Sequence, residues 1–415
     1  MDIKIITPEN MVGTVNLPAS KSISNRALII NALSVSAEGD SLSNVARCDD
    51  TDVMLKALAS EEDIINIGAA GTAMRFLTAF YAMNSGCNVI LDGSERMRQR
   101  PISILVNALR SLGADIEYGT SEGYPPIAIS GKELMGGEIK LAGDVSSQYI
   151  SALMMIAPLL KGGLRIVLEG RIISIPYIQM TISLMRQFGA KAQLDGNIIT
   201  IEQGVYSIGQ FTVESDWSAA SYWYQLVSLI PNSTVKLPRL TKDSVQGDSR
   251  VEEYFSALGV ETIYTADAVI IRDKIDYQLP AILTLNLVDQ PDLAQTIIVT
   301  AALKGIPFNI SGLSTLKIKE TDRIEALRTE LYKLGFIIDV TDDFSMVWDG
   351  NKTDIDTMQP IEIATYDDHR MAMAFAGAAV KFTNIVIKDC EVVTKSYPKF
   401  WSNLMDMGFK IEEKE

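Results

Sequence analysis

The chain has 415 residues, 47% of them hydrophobic and 21% charged, with a formal net charge of −15. That is enough apolar material for more than one core, and too acidic a balance for nonspecific nucleic-acid binding. A single histidine, His369, excludes multi-histidine metal sites, and three cysteines without CxxC spacing (Cys48, Cys87, Cys390) argue against a disulfide framework and for a reducing compartment.

In chain order, Asp2 to Ile6 reads as a short strand with an early acid rather than a signal peptide. No apolar run reaches the ~20 residues of a membrane span. Ser20-Lys21-Ser22-Ile23-Ser24-Asn25-Arg26 precedes the apolar run Ala27 to Ile30 and predicts a helix start. Free N–H groups, the helix dipole, Lys21, Arg26 and several hydroxyls there suit a phosphate or carboxylate. Ser22 and Arg26, four apart, share a face. A solvated polar first turn is the plain alternative.

Gly68-Ala69-Ala70-Gly71-Thr72-Ala73-Met74-Arg75 is a glycine-rich turn leading into another apolar helix, and it matches neither the Walker loop nor the GxGxxG fingerprint. Glu95 to Pro101 places Arg96, Arg98 and Arg100 in a loop before a helix, as an anion grip or a solvated face. Ser146-Ser147-Gln148 opens a helix expected over Ile150 to Leu160. Capping needs one serine and leaves the second and Gln148 over. Ser174 to Tyr177 is a further helix start, with Tyr177 a core candidate as much as a site one.

Asp292 precedes the apolar stretch Thr296 to Leu303, as a cap or as a base for a hydroxyl proton. In Lys319-Glu320-Thr321-Asp322-Arg323, the spacing predicts a shared helix face, giving either acid–base chemistry or an exposed ion pair. Asp367-Asp368-His369-Arg370 opens the methionine-alanine helix from Met371, with His369 a capping or a site histidine, and Lys395 completes the basic set.

One phrase recurs: a helix end, then glycine, then a β-like run. Its glycines are Gly113, Gly189, Gly259, Gly335 and Gly408, about 70 to 76 residues apart. Met54 to Glu61 is a weaker copy without the glycine. The period predicts six α+β units arranged as two similar domains.

The segments Ser20–Arg26, Ala70–Arg75, Ser146–Gln148, Lys319–Arg323 and Asp367–Arg370, in this order, resemble the 5-enolpyruvylshikimate-3-phosphate synthases, a family of enolpyruvyl transferases. The resemblance covers nearly the whole chain. It implies an α+β fold of two similar domains, each of three βαβαββ units, closing over an interdomain cleft. Residues 1–18 and 214–415 would form a discontinuous domain carrying the Lys319-Glu320 and His369-Arg370 motifs. Residues 19–213 would form the other, with the shikimate 3-phosphate site and the Gly71–Arg75 loop.

The implied reaction adds the 5-hydroxyl of shikimate 3-phosphate to phosphoenolpyruvate through a tetrahedral intermediate and then expels phosphate, the sixth step towards chorismate. The resemblance assigns Lys21, Ser22, Arg26, Ser146, Ser147, Gln148, Ser174, Tyr177, Asp292, Thr315 and Lys319 to shikimate 3-phosphate. It assigns Lys21, Gly71, Arg100, Gln148, Arg323, Arg370 and Lys395 to phosphoenolpyruvate. Asp292, Lys319, Glu320 and His369 would carry the proton chemistry. It further implies a cytoplasmic monomer that needs no cofactor or metal and meets neither nucleic acid nor membrane. Against the family pattern, Ala69 replaces an asparagine, Phe76 a proline and Thr315 an asparagine, and the Ala59–Ile67 connection is short, so one repeat should lack a strand pair. The rival readings are a UDP-N-acetylglucosamine enolpyruvyl transferase, whose loop cysteine is missing between Asp92 and Pro101, and an inactive binding homologue.

Overall fold

A computed structural model describes residues 1–34, 41–207 and 209–414. The chain divides into two compact units, Met1–Pro18 with Glu214–Glu415, and Ala19–Val213. One pattern generates both. A strand, a helix, a second strand parallel to the first, a second helix and an antiparallel strand pair build a four-stranded sheet.

In the Ala19–Val213 unit, one sheet runs Ile64–Asn66, Asn88–Asp92, Ile127–Ser130, Asp115–Tyr118. A second runs Met135–Ala142, Lys161–Glu169, Ile198–Ile201, Ala192–Asp195. The third repeat has only the parallel pair Leu42–Ser43 and Phe211–Thr212. After the helix Asp49–Leu58 the chain passes directly to Ile64–Asn66, so the shortened repeat is the one with the short Ala59–Ile67 connection.

The other unit has three complete sheets, and two of them borrow strands from the start of the chain. Val12–Thr14 lies parallel to Thr234–Pro238, and Asp2–Ile6 sits between Ile385–Ile387 and Lys410–Lys414. The remaining sheet runs Leu283–Asn286, Phe308–Ser311, Met346–Trp348, Asp339–Val340.

A parallel strand pair must be joined by a crossover, so both helices of a repeat start where its strands end. The first helices are Lys21–Ala32, Gly71–Met83 and Ser147–Ile156 in one unit, and Trp217–Leu229, Ala294–Lys304 and His369–Ala376 in the other. They are the buried ones: every residue of 294–303 is buried, with no polar stripe to face water. The second helices keep one wet side. Ser103–Ser111 buries Leu105, Val106, Ala108 and Leu109, the spacing of one helical face. Leu105, Val106 and Leu109 each contribute roughly 1.5–3 kcal/mol on burial, and the single methyl of Ala108 under about 1 kcal/mol.

The recurring glycines stand where the sequence places them. Gly113, Gly189, Gly259, Gly335 and Gly408 each follow a second helix with φ of +101°, +87°, +89°, +87° and +93°. Only glycine takes that left-handed turn without strain. No helix among the described residues is long and apolar enough to cross a membrane.

Candidate active site

Apart from Lys395, which ends the turn Cys390–Lys395, the expected site segments lie at or next to a helix start. In the Ala19–Val213 unit, Ser20 caps Lys21–Ala32 by accepting from the Ile23 N–H at 3.4 Å. Lys21 Nζ lies 2.9 Å from Asp50, on the first turn of Asp49–Leu58. Arg26 differs from the polar first turn expected of it, being only 2% exposed. Its Nη1 donates to the Ser22 carbonyl at 2.9 Å, Nε to Thr181 Oγ1 at 2.8 Å, and Nη2 to Ser151 Oγ at 3.1 Å. Its guanidinium also lies over Phe76, 5.4 Å from the ring centroid. Burial pulls the guanidinium down to about 10.

Arg26, Ser151 and Thr181 sit in the second turns of Lys21–Ala32, Ser147–Ile156 and Ile175–Gln187. One buried arginine therefore brings three helix starts level, and their dipoles add there. Ser146 caps its helix by accepting from the Gln148 N–H, and Gln148 Nε2 reaches Thr72 Oγ1 at 3.1 Å, joining the Gly71–Met83 start to the set. Ser174 takes a left-handed φ of +55°, and the Tyr177 carbonyl accepts from Thr181.

Gly71 has a geometric reason to be glycine. A β-carbon there would lie 2.6 Å from Arg100 Nη1 and 2.9 Å from Nη2, so the Arg100 guanidinium rests directly on the helix start. Arg75, expected to add charge, turns inward, donating to the Gly71 and Pro101 carbonyls and so fixing the loop behind Arg100. Arg98 pairs with Asp92 on the outside of the loop.

In the other unit the centre is Asp292. Its carboxylate is 2.9 Å from Arg370 Nη2, 3.2 Å from Arg323 Nη1 and 3.8 Å from Lys319 Nζ. The next helix, Ala294–Lys304, has Leu293 rather than Asp292 in the N-cap position. Burial alone would raise its carboxyl, but Arg370, Lys319 and Arg323 hold it well below the usual carboxylate range. Lys319 is pulled below its ordinary value by burial, with Asp292 opposing.

Arg323, 1% exposed, also binds Asp368 through Nε at 2.6 Å and Glu320 through Nη2 at 2.9 Å. The Glu320–Arg323 pair is thus interior, not an exposed helical pair. Lys319 is not on the helix face predicted for it; it precedes the helix, which starts at Arg323 with Asp322 as cap. Asp368, not His369, caps His369–Ala376, and His369 Nδ1 lies 3.9 Å from Asp368 Oδ1. Lys395 Nζ donates to the Asp367 carbonyl, and the Thr315 hydroxyl is buried with no partner among the described residues.

The sequence reading passed over Asp248. It is 3% exposed, takes a hydrogen bond from Ser218 on Oδ2 and, among the described residues, has no partner on Oδ1. Burial, reinforced by the charge of Asp292, pushes its carboxyl up to about 7. The available signal was position alone, since Gln246-Gly247-Asp248 precedes a second helix as the other site segments do.

Helix starts loaded with paired cations and carboxylates make an arrangement suited to polyanions. The comparisons with known proteins agree. The model of the family described as EPSP synthase (3-phosphoshikimate 1-carboxyvinyltransferase) matches residues 5–60 and 56–404. A 3-phosphoshikimate 1-carboxyvinyltransferase of Bacteroides fragilis is 53% identical over 407 residues, covering 98% of this chain and 97% of that one. One from Photobacterium damsela is 37% identical over 98% of this chain and the whole of its own length. A solved EPSP synthase from Acinetobacter baumannii superposes with a TM-score of 0.76 at 21% identity, covering 99% of this chain and all of that one. The chain belongs to the EPSP synthase (3-phosphoshikimate 1-carboxyvinyltransferase) family.

Proposed function

We propose that the chain transfers the enolpyruvyl group of phosphoenolpyruvate to the 5-hydroxyl of shikimate 3-phosphate and releases phosphate. The observation that carries the reading is the Asp292 cluster. One carboxylate is surrounded by Arg370, Arg323 and Lys319, with Glu320 on the same guanidinium. Planar arginine forks suit the carboxylate of phosphoenolpyruvate. Asp292 is ionised, as an acceptor of the hydroxyl proton must be, and Lys319 stands 3.8 Å away to assist; a substrate carboxylate drawing Arg323 and Arg370 off it would restore its basicity. Glu320 would deliver a proton to the methylene carbon as the C–O bond forms, then take one back from the methyl group as phosphate leaves. His369, with Nδ1 3.9 Å from Asp368 Oδ1, stands beside this network and would support it by hydrogen bonding to the bound substrates.

In the Ala19–Val213 unit, Lys21, Ser22, Ser146, Ser147, Gln148 and Ser174 hold shikimate 3-phosphate, with Tyr177 against its ring. Arg26 acts from behind, through the Ser22 carbonyl and the level helix starts. Gly71, Arg100, Gln148 and Lys395 take the phosphoenolpyruvate phosphate, which Lys21 also reaches. A cytoplasmic monomer working without a cofactor belongs to the same proposal.

The test is phosphate release from phosphoenolpyruvate with shikimate 3-phosphate, run beside UDP-N-acetylglucosamine. Release with shikimate 3-phosphate alone is expected. Release with the sugar nucleotide alone overturns the acceptor, and release with neither overturns the activity.

A further inference from the structure

We infer that Glu330 and Tyr366 are positioning residues for the Asp368–Arg370 helix start, and that their hydrogen bond sets the affinity for phosphoenolpyruvate. The inference rests on the function proposed above and adds a device that this function does not itself require.

Arg323 and Glu330 lie seven residues apart on the helix Arg323–Lys333, hence on one face. Both reach the same neighbouring segment. Arg323 binds Asp368. Glu330, with a fully buried side chain, accepts from the Tyr366 hydroxyl at 2.6 Å and from the Ala364 N–H at 3.2 Å. Lys333 Nζ neutralises it from 2.7 Å and also donates to the Glu362 carbonyl at 3.0 Å. A buried carboxylate is costly unless paired and hydrogen-bonded, and here every interaction is directed at the 362–366 segment or at Lys333.

That segment has something to restrain. Tyr366 and Asp367 are consecutive non-glycine residues in the left-handed region, with φ of +55° and +54°. A non-glycine residue in that region is strained and persists only when its surroundings hold it. Each has its own tie: Glu330 on the Tyr366 hydroxyl, and Lys395 Nζ on the Asp367 carbonyl. The next three residues are Asp368, His369 and Arg370, and Arg370 reaches Asp292 both at its carboxylate and at its carbonyl. One rigid helix thus grips the segment at both ends of a strained turn and fixes how far Arg370 projects. Relaxing the turn displaces Arg370, whose work is on the phosphoenolpyruvate carboxylate, and leaves the groups of the Ala19–Val213 unit untouched.

Tyr366→Phe removes only the hydroxyl from a partly exposed ring. It should raise KM for phosphoenolpyruvate about tenfold with kcat within about twofold of wild type. The dissociation constant of shikimate 3-phosphate in the binary complex, read by calorimetry, should not move, and the melting temperature should fall by no more than the loss of one hydrogen bond to Glu330 allows. Glu330→Gln, which keeps the shape and loses the charge, should shift KM in the same direction, and the double variant should fall short of the sum. An unchanged KM for phosphoenolpyruvate in Tyr366→Phe overturns the inference, as does a drop in kcat with lowered melting temperature and unchanged KM. Wild-type protein that turns over these substrates while Tyr366→Phe matches it defeats this inference alone. Wild-type protein inert towards them defeats the proposed function and this inference with it.

Discussion

Gly71 and Arg100 show how one missing side chain can tune a site. A methyl group at Gly71 would collide with the end of a flexible arginine, which can swing away more readily than the helix can move. On the proposed function, Gly71→Ala should therefore raise KM for phosphoenolpyruvate about tenfold and leave the melting temperature unchanged. A fall in melting temperature at constant KM would place the strain in the fold instead. Asp248 makes a separate prediction about pH. Its folded-state carboxyl is pushed up to about 7 from the ordinary 3.8, so the native protein holds a proton that the unfolded chain gives up. Stability from this residue then falls as pH rises through roughly 4 to 7. Asp248→Asn is always neutral and should flatten that slope, by an amount on the order of a few kcal/mol across the window, read from thermal unfolding at several pH values. Equal slopes would mean that Asp248 is ionised in the folded protein. Hydroxyls and cations at helix starts were legible in the sequence because capping and dipole effects are local. The interior posting of Arg26 was not, because its partners Ser151 and Thr181 are 125 and 155 residues away along the chain.

Among the elements, the recurring glycines separate two costs that sequence alone cannot tell apart. All five turn left, and the period of the phrase exposed them. A β-carbon at Gly113 would meet nothing within 4 Å, whereas one at Gly259 would fall 2.2 Å from Tyr277 Cζ. Gly113→Ala should cost only the backbone strain, about 1–2 kcal/mol. Gly259→Ala should cost clearly more, because Tyr277 must also leave Lys304, whose ammonium its hydroxyl meets at 2.6 Å. Denaturant unfolding of the two variants checks the order, and equal losses would contradict it. Helix identity was readable from apolar runs, but the start of Arg323–Lys333 was not. Spacing put Lys319 on its face, and the Asp322 cap begins the helix four residues later. Spacing within a segment says which residues could share a face, and only the cap decides whether they do.

For the molecule as a whole, the sixfold period was visible because each repeat spends the same residues on the same turns. The shortened repeat announced itself by its missing glycine. Sheet membership was far less visible. Nothing near Asp2–Ile6 reveals that Ile3 pairs with Ile387 on one side and Glu413 on the other, or that Val12 lies beside Thr234. Those pairings bear on how the protein is made. A ribosome emits the chain from one end, at about 5–20 residues per second. The Ala19–Val213 unit is continuous and has all its strands once residue 213 has emerged. The other unit must wait, with Asp2–Ile6 unpaired until Ile385–Ile387 arrives and still an open edge until Lys410–Lys414 follows. The unit finished second is thus the one begun first, and its earliest strand spends the interval as a bare edge open to wrong partners. On stalled nascent chains ending near residue 260, hydrogen exchange should find Ile198–Ile201 protected and Asp2–Ile6 open. Protection of both would mean that the early strand has found a temporary partner.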